Sequence, residues 1–165
     1  MAGAEARRGP EAPLELYETR VRPEWVDYNG HMSEAFYVLV FGYTTDALLD
    51  YIGLDAETRR ESGTSVYTLE SHVRYLREVA EGEPLYVTTQ LLDLDHKRAH
   101  VFHAMHLRES GRLLATSELM LINVDQSIPA SAPFLAEARE RLGKLREAHT
   151  LLPTPEHAGS SIGLL

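Results

Sequence analysis

Apolar side chains recur every three or four residues over a segment in the first third of the chain. This spacing predicts a helix whose buried face carries Phe36, Leu39, Val40, Tyr43, Ala47 and Leu48. Leu49 and Ile52 widen the apolar face, and Gly53 is suited to end the helix. A helix this apolar does not fit a surface position. We therefore expect it to lie at the centre of the fold, enclosed by other elements.

The hydrophobic period changes to two after Thr64, which is typical of a strand with one buried face. The predicted buried face consists of Tyr67, Leu69, Val73 and Tyr75. The opposite face includes Glu70, His72 and Arg74. Three further strands are predicted at 85–93, 98–108 and 113–124. Short turn-forming segments separate them, so we expect the four strands to form an antiparallel meander.

Two weaker patterns flank this region. Leu14 to Arg22 is strand-like and stops at Pro23, which cannot donate a hydrogen bond to a central sheet. Residues 132–148 place apolar side chains among many charges at helical spacing. The order of elements predicts an α+β fold in which a curved antiparallel sheet wraps one long central helix.

The same patterning divides the chain into three parts. Residues 1–13 lack hydrophobic periodicity and are predicted to be a disordered leader. Residues 14–150 are predicted to form one domain, because 165 residues with 44% hydrophobic content suffice for one sizeable core. Residues 151–165 follow the last helix and are predicted to be an irregular tail.

Charge and composition exclude several classes of function. The chain has 16 basic and 25 acidic residues and a formal net charge of −9, which argues against binding nucleic acid through its phosphates. There is no cysteine, and therefore no disulfide, thiolate metal site or cysteine nucleophile. No apolar run approaches the ~18 residues of a membrane-spanning helix, and the start lacks the apolar core of a signal peptide. We expect a cytoplasmic protein without a nucleic-acid or membrane partner.

The loop before the central helix carries the strongest chemical signal. A carboxylate lies one short turn before the helix in Trp25-Val26-Asp27-Tyr28-Asn29-Gly30-His31-Met32. Free N–H groups and the positive end of the helix dipole can stabilise a developing oxyanion there, with Asp27 close enough to act as base or nucleophile. The alternative is that Asp27 and Asn29 only cap the helix.

Other polar residues leave more than one role open. His31 lies beside Asp27 and either orients the substrate or attacking water, or bonds the loop backbone. Glu34, near the amino end of the helix, is a second carboxylate that could assist Asp27. Glu70 lies in mid-strand and either faces solvent, pairs with a basic group such as Arg74, or contacts the substrate or an interface.

Three histidines in one predicted strand invite a metal-site hypothesis. They are His100, His103 and His106. In a strand, however, His103 points away from the other two, so the three cannot share one ion. We predict no metal and no cofactor.

The residues of the loop resemble a known family. This chain resembles the first part of hotdog-fold acyl-CoA thioesterases related to 4-hydroxybenzoyl-CoA thioesterase. The resemblance lies in the segment Val21-Arg22-Pro23-Glu24-Trp25-Val26-Asp27-Tyr28-Asn29-Gly30-His31-Met32. The resemblance implies a hotdog fold, with Asp27 as the catalytic carboxylate and a backbone N–H at the helix start polarising the thioester carbonyl. Gly30, His31 and Glu34 complete the implied catalytic set.

Longer segments resemble one branch of this family, the betainyl-CoA thioesterases of carnitine breakdown. These segments are Tyr67 to Val79, Thr89 to Asp93 and Ala158 to Leu164. The resemblance covers residues 14–164 and implies hydrolysis of a small acyl-CoA, with betainyl-CoA as the substrate. It also implies a homodimer or homotetramer whose active sites are shared between subunits.

The implied substrate sets two requirements on its binding residues. A trimethylammonium cation is bound by aromatic faces, for which Trp25 and Tyr28 are the favoured candidates. CoA phosphates need basic side chains in the pocket, whatever the net charge of the chain. The predicted substrate-binding set is Trp25, Tyr28, Asn29, Tyr37, Glu70, Arg74, Arg77 and Arg98.

Two other functions fit the same fold. A hotdog hydratase or dehydratase also uses the helix start, but it requires a paired histidine and acid at other positions. A noncatalytic acyl-CoA-binding protein would leave Asp27 without a purpose. Hydrolysis therefore explains more of the loop than either alternative.

Overall fold

The computed structural model describes residues 12–164, so most of the predicted leader lies outside the described residues. Its elements, in chain order, are β1 (Leu14–Arg20), a 3-10 helix (Pro23–Trp25), α1 (Glu34–Tyr51), α2 (Ala56–Ser62), β2 (Thr64–Tyr75), β3 (Pro84–Leu94), β4 (Arg98–Leu107), β5 (Leu113–Asp125), β6 (Ala130–Ser131) and α3 (Ala136–Thr150). Most strands agree with the predicted ones to within two residues. The short elements α2 and β6 are additions to the prediction. None of the helices in residues 12–164 is apolar over a length that could span a membrane.

A six-stranded antiparallel sheet packs against α1, which confirms the predicted α+β hotdog architecture. Its main strands are ordered β1-β3-β4-β5-β2. β3, β4 and β5 form a meander, but β2 pairs with β5 and not with β3. The predicted meander of four strands is therefore wrong in its first strand. The segment 76–83 explains the difference, because it crosses past the start of α1, where the Met32 N–H donates to the Val79 carbonyl at 2.9 Å.

A bulge in β2 moves two apolar side chains out of the core. Thr68 pairs with Leu121 and Glu70 with Met120, so Leu69 is an extra residue in the strand. One extra residue reverses the alternation of faces. Tyr67 and Leu69 are consequently 50% and 58% exposed, and the prediction that they face the core is wrong.

The buried face of α1 is rotated from the predicted one. The buried residues are Tyr37, Val40, Phe41, Thr44, Leu48 and Leu49. Leu39 and Tyr43, predicted to be core, are 36% and 40% exposed. Because α1 is apolar around most of its circumference, spacing alone does not determine which side meets the sheet. At the far end of α1, the α3 residues Ala138, Leu142 and Leu145 close the core.

A buried histidine links α1 to the sheet. His103 is 0% exposed, and its two ring nitrogens lie 3.0 Å from Thr45 Oγ1 on α1 and 2.9 Å from Thr89 Oγ1 on β3. Its ring stacks on Phe41 with 6.2 Å between centroids. Burial lowers the pKa of His103 from 6.5 to about 3, so the ring is neutral in the folded protein. His100 and His106 lie on the opposite face of β4, as the alternation predicts.

This buried histidine should make stability depend on pH. The pKa of His103 is lower in the folded state than in the unfolded state, so only the unfolded state gains its proton as the pH falls below 6.5. We expect the free energy of unfolding to fall by up to about 1.4 kcal/mol per pH unit from this residue. His103→Gln should show a flatter dependence between pH 6.5 and 5 in chemical denaturation. Parallel curves for the two proteins would contradict this assignment.

Candidate active site

A tight loop joins the 3-10 helix to α1. The Asp27 N–H donates to the His31 carbonyl at 3.1 Å, and the Gly30 N–H donates to the Asp27 carbonyl at 3.0 Å. Gly30 has a φ of 80°, in the left-handed region that glycine adopts most readily. The backbone of His31 also bridges to Ala80, which anchors the loop to the crossing segment. The Gly30 amide is thus committed to the turn and is not free to bind an oxyanion.

The Asp27 carboxylate is held within this loop and does not cap α1. Its Oδ1 accepts the Asn29 N–H at 2.8 Å, and the residue is half-buried. The cap position of α1 is Ser33, whose side chain makes no capping hydrogen bond. The alternative that Asp27 and Asn29 serve only as helix caps therefore does not describe this loop. Asn29 holds the Asp27 carboxylate through its backbone N–H.

The first turn of α1 offers backbone donors next to this carboxylate. The Ser33 N–H is bonded to the Trp25 carbonyl at 2.9 Å, and the Phe36 N–H to the Ser33 carbonyl at 3.0 Å. Between them lie the amides of Glu34 and Ala35, in the turn where an α-helix has no internal acceptors. The positive end of the helix dipole lies at the same place. The loop that holds the Asp27 carboxylate therefore leads directly into a helix start with backbone donors that the helix itself does not use.

The two loop aromatics have opposite environments. Trp25 is 3% exposed, with Phe36 stacked at 5.8 Å between ring centroids and the Arg22 guanidinium 5.1 Å from its ring. Tyr28 is 97% exposed. Trp25 thus has no open face for a ligand in this structure, and Tyr28 projects away from the protein. They do not form two walls of one cage, contrary to the expectation from their positions beside Asp27.

A second pair of aromatic residues lines an opening at the start of α1, which we call the Tyr75 cleft. It has a volume of about 390 Å³ and is lined by Met32, Glu34, Tyr37, Tyr75, Arg77 and Glu78, among others. Tyr37 and Tyr75 meet edge to face with 5.4 Å between ring centroids. The Tyr37 hydroxyl donates to the Arg77 carbonyl at 3.2 Å. Burial, with Glu78 and Tyr75 nearby, raises the pKa of Tyr37 to about 12, so this donor stays protonated.

The Tyr75 cleft was only partly visible in the sequence. Glu34 and Tyr37 are predicted site residues, and the structure brings them together. Tyr75 was predicted as a core residue of β2, and Glu78 was not considered. The missing information is the path of residues 76–83, which brings the end of β2 to the start of α1.

The predicted basic residues do not form one group. Arg77 lines the Tyr75 cleft, whereas Arg74 lies on the outer face of the sheet and donates to Ser160 Oγ at 3.3 Å. Arg98 begins β4 at the other end of the sheet and pairs with Asp95 at 2.7 Å. Tyr75 pairs with Ala115 of β5 and Arg98 pairs with Ile122, so seven residues, or about 23 Å, separate the end of β2 from the start of β4 along the sheet. Arg77 and Arg98 therefore do not form one cluster in the single chain.

Glu70 lies on the exposed outer face of β2. Its expected partner Arg74 is bonded to the tail residue Ser160 instead. Glu70 lines an outer-face depression with His72 and with the hydrogen-bonded pair His100 and Glu118, whose Nε2 and Oε1 atoms lie 2.7 Å apart. This places Glu70 on the side of the sheet opposite α1. Glu70 is exposed in the single chain, and its contact with the substrate or with an interface stays a prediction.

A larger opening, the α1–β2 groove, runs along the exposed side of the central helix. Its volume is about 700 Å³, and its apolar lining includes Val38, Leu39, Tyr43, Val66 and Val73. It lies beside β2, which is an edge strand of the sheet formed by residues 12–164. Within these residues an apolar groove and a strand edge without a partner therefore lie next to each other.

Several known proteins are similar to this chain in sequence and in fold. The thioesterase-like superfamily model matches residues 21–142. A betainyl-CoA thioesterase from Pseudomonas aeruginosa is 54% identical over 92% of this chain and 95% of its own length. An L-carnitine dehydrogenase/betainyl-CoA thioesterase from Rhizobium meliloti is 45% identical over 92% of this chain, which corresponds to 30% of that longer protein.

The chain is also similar to a solved structure. A hypothetical protein from Staphylococcus aureus in complex with CoA superimposes with a TM-score of 0.87 at 27% identity, covering 93% of this chain and 97% of its own. The central helix, the loop before it and strands β2 to β6 fall within the matched region of the family model, and β1 lies just before it. The chain therefore belongs to the thioesterase-like superfamily.

Proposed function

We propose that the protein hydrolyses betainyl-CoA to betaine and CoA. The observation that carries this proposal is the Asp27 carboxylate, held by the Asn29 N–H at 2.8 Å beside the open first turn of α1. The activity named for the 54% identical Pseudomonas aeruginosa relative supports the choice of acyl group. The CoA complex of the Staphylococcus aureus structure supports a CoA ester as the ligand.

The geometry supports a hydrolysis in which each group has one task. As a base, Asp27 takes a proton from water, and the resulting hydroxide adds to the thioester carbonyl carbon. The amides of Glu34 and Ala35 then stabilise the negative oxygen of the tetrahedral intermediate. Collapse of this intermediate breaks the carbon–sulfur bond, and Asp27 returns the proton to the CoA sulfur. If Asp27 attacks directly, it forms an anhydride that water hydrolyses; both routes use the same residues.

We further propose that the working enzyme is a homodimer, alone or as half of a tetramer, with β2 at the interface. β2 is a 12-residue edge strand, and long unpaired edges are rarely left bare in soluble proteins. Tyr67 and Leu69 are exposed on it, and the α1–β2 groove lies alongside. A second chain that pairs with this edge would cover both features and bring its own residues near the first turn of α1.

Arg77 is the basic residue that we propose for contact with CoA. It lines the Tyr75 cleft at the mouth of the site, whereas Arg98 is paired with Asp95 at the far end of the sheet. CoA esters occur in the cytoplasm, and we propose that the protein works there.

A panel of acyl-CoAs tests the proposed function. The purified protein would be incubated with betainyl-, acetyl-, butyryl-, crotonyl- and benzoyl-CoA, and free CoA would be followed with a thiol reagent. We expect thiol release from all short esters that fit, with the highest kcat/KM for betainyl-CoA. Tight binding without thiol release would indicate an acyl-CoA-binding protein, and hydration of crotonyl-CoA without thiol release would indicate a hydratase.

A further inference from the structure

The aromatic and acidic residues of the Tyr75 cleft are suited to bind a positively charged group of a substrate. We infer that Tyr75, flanked by the carboxylates of Glu34 and Glu78, is the subsite that selects a quaternary ammonium group on the acyl chain. This inference rests on the proposed function, since it assumes that a thioester carbonyl is held at the first turn of α1. It assigns the choice of substrate to residues outside the loop that carries Asp27.

The shape of the cleft suits a bulky cation that has no N–H to donate. Tyr75 is 46% exposed and lines the cleft, so a ligand in the cleft can contact its ring. Tyr37 is 4% exposed and contacts the Tyr75 ring edge to face, with its own hydroxyl tied to the Arg77 carbonyl. Tyr37 is therefore a positioning residue that fixes the ring of Tyr75. A fixed aromatic face attracts a cation through its quadrupole without a hydrogen bond.

The charge of the cleft also favours a cation. Glu34 and Glu78 both line it, and within residues 12–164 neither forms an ion pair with a basic side chain. Glu34 and Tyr75 line the same cleft, and burial together with the charge of Glu34 raises the pKa of Tyr75. Arg77 is the one basic residue of the lining, and it uses its carbonyl oxygen to hold Tyr37. Two unpaired carboxylates beside an aromatic face are complementary to a trimethylammonium group.

The position of the cleft matches the chemistry of the substrate. In betainyl-CoA a single methylene separates the ammonium nitrogen from the carbonyl carbon, so the cation must bind next to the oxyanion site. Glu34 belongs to the first turn of α1, whose amides are the proposed oxyanion donors. Tyr43 and Asp46 also combine an aromatic ring with a carboxylate, in the lining of the α1–β2 groove, but they lie further along α1. Asp46 is twelve residues from Glu34, or about 18 Å along the helix axis, which is too far for this substrate.

A pair of substrates that differ only in charge tests the inference. In 3,3-dimethylbutanoyl-CoA a carbon replaces the quaternary nitrogen and keeps the same methyl groups. The wild-type enzyme is expected to prefer betainyl-CoA over this neutral ester in kcat/KM. Tyr75→Leu should reduce this preference about 2-fold to 30-fold, the range of one cation–π contact, while Tyr75→Phe should retain most of it. Tyr51→Leu, which alters an exposed tyrosine at the other end of α1, should leave the preference as in the wild type.

The carboxylates give a second, independent comparison. Glu78→Gln and Glu34→Gln should each lower kcat/KM for betainyl-CoA more than for the neutral ester. Asp50→Asn, an exposed carboxylate near the carboxyl end of α1, is the matched control. Because Glu78 lies on the exposed crossing segment, its variant is expected to fold even if Tyr75→Leu does not. Thermal unfolding of every variant separates lost folding from lost selectivity.

The outcomes distinguish the inference from the proposed function. Hydrolysis of both esters with equal efficiency by the wild-type enzyme would overturn the cation subsite and leave a general short-chain thioesterase. A wild-type preference that survives Tyr75→Leu and Glu78→Gln would place the subsite elsewhere, with Tyr28 next to be tested. Absence of thiol release from every ester would overturn the proposed function, and the inference with it.

Discussion

Replacing Asp27 with asparagine is expected to lower kcat for thioester hydrolysis at least about 10²-fold while the fold and CoA affinity stay nearly unchanged. The amide of asparagine retains an oxygen that can accept the Asn29 N–H, so the loop should keep its shape. The change removes only the group that takes a proton or attacks the carbonyl. Steady-state kinetics with betainyl-CoA, together with CoA binding by calorimetry, would measure both effects.

Asp50→Asn provides the control for this substitution, because it makes the same chemical change on the exposed far end of α1. Activity of Asp27→Asn within a few-fold of the wild type would reject Asp27 as the catalyst. Glu34 would then be the next candidate, since it is the carboxylate in the first turn of α1. Glu70 is less suited to the role, because it lies on the outer face of the sheet.

Introducing a charge into the bare edge of β2 is expected to convert the protein from a dimer into a monomer. Leu69 is 58% exposed at the bulge of this strand, and Leu69→Lys would place one lysine from each subunit at the proposed interface. Analytical ultracentrifugation at micromolar concentration should show the loss of the dimer. Hydrolysis should fall in parallel, because the proposed active site includes residues of both chains.

Ile128→Lys is the matched control, since Ile128 is 67% exposed in the turn between β5 and β6, away from that edge. This variant should remain a dimer with wild-type activity. A wild-type protein that is monomeric at micromolar concentration, or a Leu69→Lys dimer with full activity, would contradict the proposed interface.

The parts of the fold that depend on local patterns could be predicted from the sequence. The central helix, the strand bounds and the opposed directions of His100 and His103 all follow from spacing along the chain. The bulge at Leu69 could not be read in this way, because one inserted residue reverses the faces without changing the strand-like composition. The pairing of β2 with β5 could not be predicted from the sequence either, because it depends on the path of residues 76–83.

The residues of the candidate site also differ in whether local sequence or only the tertiary structure identifies them. Asp27 was found because its carboxylate, its turn and the helix start are all neighbours in sequence. The burial of Trp25 could not be predicted in this way, because it depends on the packing of Phe36 and Arg22 on its ring. Tyr75 lies 48 residues after Asp27 in the chain, and only the tertiary structure shows that it stands at the same helix start.

The central claim, that this chain is a betainyl-CoA thioesterase, is tested most directly by measuring the two products together. Purified protein would be given betainyl-CoA, with CoA measured by a thiol reagent and betaine by mass spectrometry. We predict multiple turnovers in which CoA and betaine appear in equal amounts, and the loss of both with Asp27→Asn. Failure to release either product from betainyl-CoA, in a sample shown to be folded and to bind CoA, would contradict the account.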